Sequence, residues 1–124
     1  MNVLLSIKPC YVDRIMSGEK KYEYRKTIFR RKNIDRIVVY SSGNVRRLVG
    51  EIVVKRIICD TPKNIWEKTS VYAGISEKDY YAYFKDRDKA YAIEILSFVA
   101  YDKEYGLPER YIGVKAPQSF RYVD

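Results

Sequence analysis

The sequence contains no histidine, so it lacks the side chain whose ordinary pKa lies nearest neutrality, and every histidine-based catalytic triad is excluded. Cysteine occurs only as Cys10 and Cys59, far apart in the chain and each beside apolar residues. Two thiols without histidine do not supply a dedicated zinc site, so two reduced cysteines, no metal and no cofactor are expected. No apolar run approaches the roughly 20 residues that cross a bilayer. The opening MNVLLSIKPC is interrupted by Lys8 too soon to read as a secretory leader, which gives the expectation of a soluble, cytoplasmic protein with no membrane partner. Internal repeats, low-complexity tracts and linkers are also missing, and 124 residues is one domain's length, so residues 1–124 are read as a single domain.

Positive charge and tyrosine are what the sequence has in excess. Lysine and arginine total 24 against 16 aspartates and glutamates, a formal net charge of +8 spread along the chain and not gathered in a tail. Such a charge belongs to the face of a folded domain and favours an anionic partner, either a nucleic acid or an acidic protein surface. The 13 tyrosines suit half-buried strands, so most are assigned to core and sheet.

Periodicity divides the chain into alternating elements. Asn2–Ile7 is an apolar run that reads as a buried strand. Pro9 opens a helix whose apolar stripe is Tyr11, Val12, Ile15 and Met16, and Gly18 ends it. Residues 20–26, KKYEYRK, return to period two, and the basic segment IFRRKN leads into a strand over 35–42. A turn at SSGNVRR precedes a long strand over 47–59, in which the apolar parity changes around Gly50 and predicts a bend or bulge. One helix is expected from Thr61 and Pro62 to about Gly74, and a second begins with Ser76 as N-cap. Strands over 89–102 and 119–123 complete the pattern. The whole predicts an α+β domain with a strongly curved sheet or small barrel.

The stretch SGEKKYEYRK, Ser17 to Lys26, raises the functional question. In an extended chain Tyr22 and Tyr24 share one face while Lys21, Glu23 and Arg25 share the other. The aromatic face packs inward, and the opposite face sets a carboxylate two residues from a guanidinium, with Lys20 in the preceding turn. Taken alone, this is an ordinary same-face salt bridge worth roughly 0–1 kcal/mol when exposed.

Gly18, Lys20, Glu23 and Arg25 match the spacing G-x-K-x-x-E-x-R, and here the sequence resembles the ASCH family, whose fold is PUA-like. The similarity extends through LLSIKP, VVYSS, VGEI, the WEKT to YF region and PQSFRYV, nearly the whole chain. The resemblance implies a small curved β-barrel of mixed strands with flanking short helices, and a basic cleft, lined by the motif, that binds single-stranded RNA or a nucleotide-derived ligand. Some relatives hydrolyse acylated cytidine with a lysine at the Lys20 position and a threonine where this chain carries Glu23. The carboxylate here replaces that hydroxyl nucleophile.

The candidate ligand-binding residues are Ser6, Lys8, Lys20, Glu23, Arg25, Tyr40, Ser41 and Ser42. Arg25 offers a planar donor fork for phosphate or a base edge, and Glu23 orients it or accepts from a base amino group. Lys8 and Lys20 are point charges for a backbone. The three serines stand at strand ends, and Tyr40 or Tyr122 is a stacking candidate. The competing reading is a hydrolase acting on RNA or on an acylated or modified nucleoside, with Lys20 as general base and Glu23 orienting water or working as acid and base. A third reading is a regulatory module whose basic surface docks on a protein partner.

Overall fold

The computed structural model describes residues 2–124. Its elements run β1 (Asn2–Ile7), α1 (Pro9–Ser17), β2 (Tyr22–Arg25), β3 (Arg36–Ser41), β4 (Arg47–Asp60), α2 (Pro62–Thr69), a 3₁₀ turn (Ser70–Tyr72), α3 (Glu77–Tyr83), β5 (Ala90–Tyr105), α4 (Leu107–Arg110) and β6 (Phe120–Val123). The α+β class is therefore as expected. One six-stranded sheet has the order β2-β5-β4-β3-β1-β6. Only β1 and β3 pair in parallel; the other neighbours are antiparallel.

The apolar run of β1 has a direct packing cause. Val3, Leu5 and Ile7 enter one core cluster with Val12 and Ile15 of α1, while Leu4 enters another with Val38, Leu48 and Leu107. A strand covered on both faces cannot alternate apolar with polar. Helix α1 starts on Pro9 and stops at Gly18, whose φ of 86° lets its N–H reach the Ile15 carbonyl. Met16 falls outside the buried stripe and is exposed.

Of the bend or bulge that the parity change predicted, the structure has a bulge at Gly50. The β4–β5 register shifts between Leu48 and Gly50, and the facing β3–β4 register shifts between Val39 and Tyr40. A Cβ at Gly50 would stand 2.6 Å from both Phe98 Cζ and the Val99 carbonyl oxygen, so the glycine admits the neighbouring strand closely. The helix expected from Thr61 to Gly74 divides at Thr69 into α2 and the 3₁₀ turn. Thr61 Oγ1 accepts from Asn64 N–H at 3.2 Å and Ser76 Oγ from Asp79 N–H at 3.1 Å, fixing the starts of α2 and α3. Both helices cover the β2–β5 edge through Ile65, Tyr80 and Phe84, which pack with Tyr24, Ala90 and Ala92. Sequence reading assigned no element to α4. Its start is tied by Glu109 Oε1, which accepts from Gly106 N–H at 2.7 Å.

The expected barrel is not formed: the sheet stays open. β2 pairs only with β5 and β6 only with β1, so the two edge strands never meet. A barrel requires a last strand pair with its register and shear satisfied. Between these edges lies a cavity lined by residues of β2, the end of β1 and residues 116–119 ahead of β6. No helix among the described residues is long and apolar enough to cross a membrane.

Candidate functional site

The short strand β2 separates its side chains as alternation requires. Tyr24 points into the aromatic cluster beneath α2 and α3, where its hydroxyl lies 2.7 Å from Thr69 Oγ1. Thr69 Oγ1 in turn donates to the Ile65 carbonyl at 2.7 Å, so this polar chain ends on the backbone. Glu23 and Arg25 project on the other side, but not onto an open sheet face: they are 7 % and 9 % exposed, and Lys20 is 3 % exposed. The surface salt bridge suggested by spacing alone is thus a buried charge cluster.

Lys20 precedes β2 and is fixed by contacts from several elements. Its N–H donates to the Arg14 carbonyl at 2.9 Å, and its Nζ donates to the Ala73 carbonyl at 2.8 Å. The ammonium lies over the Tyr11 ring at 5.2 Å and the Tyr24 ring at 4.8 Å, within cation–π range. Three successive carbonyls of the segment after α2 grip this region. Tyr72 O accepts from Lys21 N at 2.9 Å, Ala73 O from Lys20 Nζ, and Gly74 O from Arg14 Nη1 at 2.8 Å. Gly74 has φ +62°, and a Cβ there would overlap the Lys20 stem.

Glu23 stands between two cations, with Oε1 4.0 Å from Lys20 Nζ and Oε2 3.2 Å from Arg25 Nε. Arg25 also crosses to β1, donating through Nη2 to the Ser6 carbonyl at 2.6 Å. Its Nε is buried without a hydrogen bond, so the contact to Glu23 is an electrostatic pairing rather than an aligned fork. Two cations around one carboxylate leave one excess positive charge in a desolvated place. Burial is the chief cause holding the Lys20 pKa below the usual lysine range; Glu23 opposes the shift, while Arg14 and Arg25 add to it.

These groups form one wall of a cavity of about 1060 Å³. Its lining carries five cationic side chains (Lys8, Lys20, Arg25, Lys26 and Arg87) and two carboxylates (Glu23 and Asp79), together with Tyr11, Tyr24, Tyr40 and Tyr83. Burial raises the pKa values of Tyr11 and Tyr83, so their phenols face the space as neutral donors. Among the described residues no cluster of three or more histidine, cysteine, aspartate or glutamate side chains is placed to hold a metal ion.

The structure brings Ser6, Lys8, Lys20, Glu23, Arg25, Tyr40 and Ser42 to this one cavity. Ser6 Oγ is engaged with the Pro117 carbonyl at 2.7 Å, and Ser42 Oγ with the Ile7 carbonyl at 3.3 Å, so both hydroxyls brace the walls. Ser41 is buried in β3 and is not among the lining residues. Tyr122 also lies elsewhere: its hydroxyl accepts from the N–H groups of Arg30 and Arg31, both at 2.9 Å, and its ring meets the Arg31 guanidinium. Sequence reasoning did not single out Tyr11, Lys26, Asp79, Tyr83 or Arg87. Tyr11 was visible as part of the α1 stripe, but nothing in one sequence reveals that α3 and the turn after it face β2.

The sequence profile of the ASCH domain family matches residues 5–98, a span that includes the whole Lys20–Arg25 cluster. The chain is 32% identical over 88 residues to the large ribosomal subunit protein uL22 of Ureaplasma parvum serovar 3, covering 71% of this chain and 28% of that protein. It is 28% identical over 89 residues to an ASCH domain-containing ribonuclease of Zymomonas mobilis, covering 72% of this chain and 60% of that one. The chain thus corresponds to part of the length of each curated relative. In fold it is similar to the crystal structure of ASCH from Zymomonas mobilis, with a TM-score of 0.90 at 24% identity over 99% of this chain and 87% of that one. The N-terminal domain of Staphylothermus marinus McrB is a more distant fold relative, with a TM-score of 0.54 at 12% identity over 87% of this chain and 77% of that one. The profile match over three quarters of its length establishes that the chain belongs to the ASCH domain family.

Proposed function

We propose that this domain binds single-stranded RNA, or a ligand derived from a nucleotide, in the open cavity between β2 and β6, with Lys20, Glu23 and Arg25 at its centre. One observation carries the reading: three charged side chains from a six-residue stretch are buried together against a ligand-sized hollow whose lining has five cations to two carboxylates. Burying ions costs several kcal/mol each, and apolar residues of similar volume generally stabilise a fold as well or better. The charges are therefore explained by what they meet in the hollow and not by sheet stability. Its volume reaches the upper end of the range of about 300–1,000 Å³ common for small-molecule sites, which suits more than one base. Arg25 supplies donors for a phosphate or base edge, and Glu23 accepts from an amino group while holding the two cations in place. The name of the Zymomonas relative, a ribonuclease, supports RNA as the ligand class.

A second reading has a specific observation in its favour. The lowered pKa of Lys20 gives it a larger neutral fraction than an exposed lysine, and a neutral amine beside an RNA 2′-hydroxyl is a general base. In that case Glu23 orients the amine, and Arg25 meets the charge that develops on the phosphate.

Fluorescence polarisation with a short unstructured RNA tests the binding reading. Wild-type protein is expected to retain the RNA at low salt and to release it as salt rises. Arg25→Lys keeps the charge but loses the planar fork, and is expected to weaken binding about tenfold or more, the equivalent of one charge-assisted hydrogen bond. Failure of the wild type to bind at low salt would refute RNA as the ligand. Cleavage of the same RNA that persists in Lys20→Ala would reject that lysine as the base.

A further inference from the structure

The cations of the cavity fall into two sets. Lys20 and Arg25 are buried, paired with Glu23 and hydrogen-bonded to the Ala73 and Ser6 carbonyls. Lys8 and Arg87 are exposed, Lys26 is half-buried, and none of the three has a carboxylate within 4 Å among the described residues. They come from three separate places in the chain: Lys8 at the start of α1, Lys26 just after β2, and Arg87 in the turn after α3. All three nevertheless line the same hollow. Lys26 does not extend freely into solvent. Its ammonium lies 4.7 Å from the centre of the Tyr83 ring, which also lines the cavity, so its charge is held beside the hollow without being neutralised.

We infer that Lys8, Lys26 and Arg87 form a phosphate track at the rim, while the Lys20–Glu23–Arg25 cluster meets the nucleoside part of the same strand. This assignment rests on the RNA reading above and deepens it. The two buried cations share the Glu23 carboxylate and are already hydrogen-bonded to backbone carbonyls, so their cluster offers a single net charge, with few free donors, to a strand that carries one charge per phosphate. A solvent-facing cation without a close counter-ion neutralises a phosphate at low desolvation cost and releases the salt cation condensed on it. Three such cations arranged round one hollow fit a ligand with successive phosphates, that is an oligonucleotide strand, better than a free nucleoside. Tyr83 is a positioning residue in this scheme, because it fixes Lys26 through its ring.

The salt dependence of binding separates the two sets. Polarisation of a labelled single-stranded oligouridine is measured across a KCl series for the wild type, Lys26→Ala, Arg87→Ala, the double variant, and the control Lys103→Ala. Lys103 lies over Tyr105, away from the cavity lining. Each rim substitution is expected to reduce the slope of log Kobs against log salt by about 0.7, and the double variant by about 1.4, as expected for single strands. Lys103→Ala is expected to leave the slope unchanged. If the wild type binds with a steep slope and the double variant keeps it, the rim assignment is overturned while the cavity reading stands. If the wild type does not bind the oligouridine at all, the rim assignment and the RNA reading on which it rests are both overturned. Because the two rim side chains are exposed or half-buried, circular dichroism melts of the variants should superimpose on the wild type, which keeps a slope change attributable to lost phosphate contacts.

Discussion

Replacing Glu23 by glutamine removes one charge and almost no volume, and so isolates the electrostatic role of the carboxylate. In the native cluster Glu23 lies within 4.0 Å of both Lys20 and Arg25, and all three residues are at least nine-tenths buried. The variant leaves two desolvated cations with no counter-charge. Removing one partner of a buried pair typically costs about 3–5 kcal/mol. With a urea m-value of about 2 kcal/mol/M, the unfolding midpoint should fall by about 1.5–2.5 M. The effect has a pH signature. The folded-state pKa of Lys20 is already lowered from 10.5 by burial, and Glu23 is the chief charge holding it up. For a base with a depressed folded pKa, the penalty is fully present below that value. It is relieved as pH rises towards 10.5, because the folded state sheds a proton that the unfolded state still holds. Glu23→Gln lowers the folded value further, so its relief begins at lower pH than in the wild type. The stability difference between the two proteins should therefore narrow from neutral to alkaline pH. Tyrosine ionisation at high pH affects both and cancels in the difference. Urea titrations followed by tryptophan fluorescence, using Trp66, measure this directly. A midpoint change below about 0.5 M, or a difference that stays constant or widens with pH, would refute the argument that the three charges are a mutually dependent buried unit.

Two further outcomes follow from the same geometry. Gly74→Ala introduces a Cβ that overlaps Lys20 at a residue with φ +62°. It should lose about 1–3 kcal/mol in thermal unfolding, and under the proposed function RNA affinity with it, because the carbonyl clamp and the lysine cannot keep their places together. Tyr24→Phe removes the hydroxyl that meets Thr69 at 2.7 Å and should cost about 1 kcal/mol in urea unfolding. Burial pushes the Tyr24 phenol up to about 12 from 10.0. Between those values the unfolded chain releases a proton that the folded chain keeps, so Tyr24 contributes a loss of stability as pH rises from 10 to 12. The decline should be shallower in Tyr24→Phe, and an unchanged slope would argue against burial of this phenol.

Several local features were legible because their causes are local. Pro9 and Gly18 bound α1 through fixed φ and a permitted left-handed turn, and Thr61 and Ser76 start helices through side-chain caps. The parity change at Gly50 announced the bulge. Met16 was placed on the apolar stripe of α1 but is 55% exposed, because helical periodicity gives a face and not how far the opposing sheet extends over it. The split of the 61–74 helix was likewise hidden, since the carbonyls of 72–74 turn outward to meet Arg14, Lys20 and Lys21, partners more than fifty residues away. Ser41 looked equivalent to Ser42 in the sequence, yet Ser41 is the buried last residue of β3 while Ser42, in the turn that follows, lines the cavity.

The sequence by itself determined the α+β class, the close spacing of Lys20, Glu23 and Arg25 and the opposition of tyrosines to charges along β2, because side-chain alternation and helix signals act within a few residues. Only the tertiary structure decided that the sheet remains open, that Glu23 and Arg25 are buried rather than solvated, and that Lys26, Tyr83 and Arg87 face the same hollow as Lys8. The reason is physical: burial, strand closure and the gathering of like charges depend on which distant segments pack against one another, and β2 meets its one sheet neighbour, β5, from far along the chain, with Arg25 opposite Tyr91.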